Sequence, residues 1–66
     1  MAEELKKIAD EYLDRFITSD LVMVKITDEN YPINSLKNML ISRIRKRGMT
    51  NITAYTFLNE LFLEKI

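Results

Sequence analysis

The sequence predicts a two-layer α+β fold in the order helix–strand–helix–strand–strand, a three-stranded mixed sheet with both helices on one face. Three observations carry that reading. Apolar residues recur at three- and four-residue steps over residues 5–17 and again over 36–44. A β-branched run, Leu21-Val22-Met23-Val24-Lys25-Ile26-Thr27, lies between those two stretches. Residues 52–66 are dominated by Ile, Thr, Tyr, Phe and Leu, which favour extended backbone.

The first helix follows from Leu5, Ile8, Ala9, Tyr12, Leu13, Phe16 and Ile17, which form one apolar stripe. Glu3 and Glu4 lie in its first turn, where the helix dipole favours negative charge. Thr18-Ser19-Asp20 ends it, because these side chains compete for backbone hydrogen bonds. In the first strand Val22, Val24 and Ile26 alternate onto one face, and Leu21, Met23 and Lys25 onto the other. Asp28-Glu29-Asn30 forms the following loop.

The second helix is expected from about Ser35 to Arg47, with Pro32 near its start and Asn34 as N-cap. Leu36, Leu40 and Ile44 fall within an arc of about 80°, and Met39 and Ile41 widen it. Asn38, Ser42 and Arg45 occupy the opposite face. Gly48 is placed for a left-handed C-cap. Beyond it, Ile52–Phe57 and Leu61–Ile66 read as a hairpin turning at Asn59-Glu60. The rival is a single amphipathic helix from about Asn51 to Lys65, and β propensity favours the hairpin. A strand–helix–strand stretch of this length permits a right-handed parallel crossover, which makes the expected sheet mixed.

The 66 residues make one domain, 1–66. A chain of this size buries only about 60% of its unfolded surface, so it depends on regular packing or on a partner. There is no cysteine and no histidine, which removes disulfides, thiolate metal sites and the usual general bases and thiol nucleophiles. No acidic cluster with metal-ligand spacing is visible, and the single glycine excludes a glycine-rich phosphate loop. The expectation is therefore no enzyme, no catalytic residue, no metal, no cofactor and no small-molecule substrate. Asp10, Glu11 and Asp14 read as a solvated helix face. No run approaches the roughly 20 apolar residues of a membrane span. Met1-Ala2-Glu3-Glu4 is acidic where a signal peptide is basic, so the chain reads as soluble and cytoplasmic.

Net charge is zero, but residues 1–34 hold four cations against eight anions and residues 35–66 hold six against two. The sharpest local excess is Arg43, Arg45, Lys46 and Arg47, four cations in five residues at a helix end. That is a candidate grip on the phosphate backbone of DNA or RNA, dependent on charge and shape rather than on base identity. The competing explanation is dipole compensation together with pairing to the acidic first helix. A second candidate is the sheet face that no helix covers. Met23, Tyr55, Phe57 and Phe62 are expected there, with Leu61 and Leu63 as register-dependent alternatives. Such a patch suits a homodimer interface, and its aromatics also suit stacking with unpaired bases.

After its leading helix, the order strand, helix, strand, strand resembles the βαβαββ nucleic-acid-binding folds of Alba chromatin proteins and the C-terminal domain of translation initiation factor 3, with the first strand missing. The likeness is one of topology, and no residue carries across. The phrasing Arg15-Phe16-Ile17-Thr18-Ser19-Asp20, Ser35-Leu36, Arg45-Lys46-Arg47-Gly48 and Leu61-Phe62-Leu63-Glu64-Lys65 is similar to small uncharacterised archaeal and archaeal-virus proteins and implies no activity. A winged helix fits less well, because about seven loop residues between the first strand and the second helix leave no room for another helix.

Overall fold

A computed structural model of the chain describes residues 2–66. The amphipathic N-terminal stretch forms α1 (Ala2–Thr18) and buries Ala9, Leu13 and Phe16 completely or nearly so. Ile17 lies at the margin of the stripe and stays 42% exposed. The stop follows the expected chemistry: the Thr18 hydroxyl donates to the Asp14 and Arg15 carbonyls, and the Ser19 hydroxyl and amide both donate to Phe16 O.

The β-branched run yields only a short strand, β1 (Met23–Ile26). Leu21 and Val22 precede it with their side chains exposed, although Val22 O still accepts from the Lys65 amide at 2.8 Å. The six residues after β1 form the Asp28–Asn30 turn and lead directly into α2 (Ile33–Lys46), with no intervening helix.

That second helix starts earlier than expected. Pro32 is its N-cap, in extended conformation, and Leu36 N donates to Pro32 O at 3.0 Å. Asn34, expected to cap, lies inside the first turn, and no side-chain cap bond forms. The proline explains the shift. Its ring holds φ at −60° in the extended N-cap conformation, and it has no N–H of its own to satisfy. At the other end Arg47 is the C-cap, Gly48 N donates to Arg45 O and Met49 N donates to Ile44 O. This is a Schellman motif, and Gly48 takes the left-handed conformation it requires, with φ of 67°.

Residues 52–65 form a hairpin, β2 (Ile52–Phe57) and β3 (Glu60–Lys65). The turn is Leu58-Asn59, one residue earlier than expected, and both residues have positive φ as a two-residue type I′ turn demands. The sheet is antiparallel throughout rather than mixed. Its order is β1-β3-β2, with Val24 opposite Leu63 and Leu63 opposite Ala54. β1 and β2 do point the same way, as a crossover through α2 requires, but β3 lies between them. The tight turn fixes β3 against β2, and the far edge of β3 then takes β1.

Val24, Ile26, Ile52, Ala54, Leu61 and Leu63 face the helices. With Leu36, Leu40 and Ile44 of α2 and the buried stripe of α1, they form one core containing no buried polar or charged residue among the described ones. The fold is thus a two-layer α+β arrangement in the predicted element order.

Candidate functional site

The Schellman end of α2 presents the basic run, and the packing of α1 against α2 divides it in two. The Arg43 side chain, 16% exposed, donates from Nε to Asp10 Oδ1 at 3.0 Å. Arg47 donates from Nη1 to the same oxygen at 3.5 Å and from Nη2 to Asp14 Oδ1 at 2.6 Å. The Asp14 hydrogen bond is the main cause of the raised pKa of the Arg47 guanidinium. Asp10 and Asp14 are one turn apart on α1, and Arg43 and Arg47 one turn apart on α2, so two i, i+4 ladders face each other. Asp10 and Asp14 therefore link the helices, although Asp14, its side chain 64% exposed, and Glu11 still lie on the solvated face expected for them. Because these groups remain partly exposed, the whole network contributes only about 1 kcal/mol.

Arg45 and Lys46 are different. Both are exposed, and among the described residues neither makes an ion pair or a side-chain hydrogen bond. Arg45 projects from the other side of α2, whereas Lys46 stands nearer α1; both line a shallow depression with Asn38, Ile41 and Ser42, and Lys46 and Ser42 also border Glu3 and Lys6 of α1. α2 contains four cations and no acidic residue along its whole length. Its exposed side chains also include Asn34 and Ser35. The helical periodicity places Asn38 and Ser42 on this outer face without marking them as chemistry. The signal available was composition: a surface helix with no glutamate.

The outer sheet face brings together all four residues expected there. Tyr55 and Phe62 are opposite each other in the β2–β3 register, with ring centroids 5.6 Å apart and stacked. The Tyr55 hydroxyl donates to Met23 Sδ at 3.2 Å, reaching across β3 to β1. Burial, followed by the neighbouring Glu64 carboxylate, raises the Tyr55 pKa. Phe57 extends the patch toward the hairpin tip and is 62% exposed. Leu61 and Leu63 turn inward. A Lys25–Glu60 pair, 2.9 Å apart, borders the aromatics.

Lys65 was not singled out by the sequence. Its Nζ donates to Ser19 O at 2.7 Å and sits 4.9 Å from the Phe16 ring centroid, tying the end of β3 to the end of α1. Compared with protein-family models, curated proteins and solved structures, the chain matches none. No helix among the described residues is long and apolar enough to cross a membrane.

Proposed function

We propose that this chain is a non-enzymatic nucleic-acid-binding protein that holds the phosphate backbone through Arg45 and Lys46 at the C-terminal end of α2. The observation that supports it is the division of the basic run. Asp10 and Asp14 neutralise Arg43 and Arg47, whereas Arg45 and Lys46 stand exposed without a counter-charge among the described residues. Arg43 and Arg47, also candidates from the sequence, then serve to fix α2 on α1 and contribute field rather than direct contact. A cytoplasmic location fits this role. Two phosphate contacts give weak binding with a log–log salt slope of roughly −2. Fluorescence anisotropy with a labelled duplex at low salt checks this. The double variant Arg45→Ala, Lys46→Ala is expected to lose most of the binding, and equal retention by both proteins would rule the reading out.

A second reading rests on a separate observation, the convergence of Met23, Tyr55, Phe57 and Phe62 on the uncovered sheet face. There the chain is a homodimeric interaction module. Analytical sedimentation would then find a dimer that Phe57→Lys converts to monomer. That substitution places a cation opposite Glu60 and leaves the core untouched. A wild-type monomer at high concentration would refute the dimer.

A further inference from the structure

We infer that the exposed face of α2 reads base edges in the major groove of duplex DNA, through Asn38, Ser42 and Arg45 with Ile41 between them. This rests on the nucleic-acid reading above and deepens it: on a preferred site Arg45 turns from phosphate to a base edge while Lys46 keeps its phosphate, and on other sequences both hold phosphate. At 100° per residue, Asn34, Asn38, Ile41, Ser42 and Arg45 fall within an arc of about 100°. Arg43, which faces α1, lies roughly opposite that arc. Asn34, Asn38, Ile41 and Arg45 therefore point away from the acidic helix, while Ser42 lies at the edge of the stripe that borders Glu3 and Lys6 of α1.

Its chemistry is unusual for an inert surface. Exposed helix faces that serve only solubility favour Glu, Lys, Gln and Ala, which are good helix formers. This face instead carries Asn34 and Ser35 in the first turn and Asn38 and Ser42 in the interior, the latter two each costing about 0.5 kcal/mol of helix propensity relative to alanine. None makes a side-chain hydrogen bond among the described residues, and Asn34 and Ser35 do not cap the helix. Their hydrogen-bonding capacity is therefore unused within the fold.

The same residue types match the major-groove code. Asn presents an amide pair to adenine N6 and N7, Arg a fork to guanine O6 and N7, and Ser can pair with either base. Half-buried Ile41 offers an apolar surface to a thymine methyl. α2 itself carries no acid, and the Glu3 carboxylate of α1 that borders Lys46 and Ser42 is accompanied there by Lys6. A helix about 10–12 Å across fits a groove about 12 Å wide. The deep, narrow major groove of duplex RNA does not admit it, which favours DNA.

The test is selection from a random-sequence DNA duplex pool by the intact chain, followed by anisotropy on the selected and a scrambled duplex. Enrichment of a short motif is expected, with at least a tenfold preference over the scrambled duplex. Asn38→Ala and Arg45→Ala should each reduce that preference several-fold. Lys46→Ala should weaken both duplexes equally and lower the salt slope by about one. Asn38→Ala raises helix propensity, so loss of folding does not confound it, and circular dichroism verifies this. Salt-dependent binding without enrichment, or a preference unchanged by Asn38→Ala and Arg45→Ala, overturns base reading and leaves phosphate binding standing. Stronger binding to duplex RNA or to single strands overturns the duplex-DNA assignment. No binding to any of these at low salt overturns both readings.

Discussion

Gly48 carries the chain out of α2 with φ of 67°, and nothing lies within 4 Å of where a β-carbon would stand. The cost of a side chain there is thus conformational and not steric. Gly48→Ala is expected to lower stability by about 1 kcal/mol in urea denaturation, and Gly48→Asn by less, because asparagine tolerates this region. Tyr12 offers a pH test. Burial, and then its hydrogen bond to Asp28 Oδ2 at 2.9 Å, raise its pKa above the ordinary 10.0. The neutral phenol is the form the fold favours. Its stabilisation is complete below pH 10.0 and is lost as pH rises through the higher folded-state value. Urea midpoints measured from pH 8 to 11 should fall at the alkaline end, and less steeply in Tyr12→Phe. Gly48 could be assigned from the sequence because one residue type dominates its backbone conformation. Leu58 could not. Leucine with φ of 52° is disfavoured by about 1 kcal/mol or more, so nothing local predicts a turn there.

The helices were legible because their apolar periodicity is local, and the hairpin because β-branched and aromatic residues outweigh an alternative helical stripe. Two features at this scale were not. Strand order depends on which edge of β3 meets β1, a contact between residues some forty positions apart that no local pattern encodes. The partners of Arg43 and Arg47 depend on how α1 sits against α2. Charge asymmetry between the halves announced some attraction, but it could not say that Asp10 takes two guanidinium groups and Arg45 none. This makes the pair of helices testable as a unit. Asp10→Asn should lower thermal stability modestly, by about 0.5 kcal/mol at low salt and less at high salt, because the Arg47–Asp14 bond remains. It should also strengthen binding to a DNA duplex and steepen the salt slope, because Arg43 loses its counter-charge. Unchanged affinity in a folded Asp10→Asn protein would mean that Arg43 cannot reach the backbone even when released.

Over the whole molecule the acidic first helix and the basic end of α2 meet along the α1–α2 seam, and of the four cations at that end Arg45 and Lys46 are left without an ion pair among the described residues. The layers are thin, with principal extents of 29 × 26 × 16 Å. In a single chain of this size, polar and apolar surfaces would ordinarily be interspersed. Here the sheet lies between two different surfaces: α2 presents Asn38, Ser42 and Arg45 on one side, and Met23, Tyr55, Phe57 and Phe62, bordered by the Lys25–Glu60 pair, lie on the other. If both proposed surfaces are used, that arrangement sets the valence. Two copies joined back to back through their aromatics would hold their α2 helices on opposite outer surfaces, too far apart in direction to share adjacent turns of one duplex. Such a pair would act as a rivet between two separate segments, drawing distant stretches of DNA together rather than marking a palindrome.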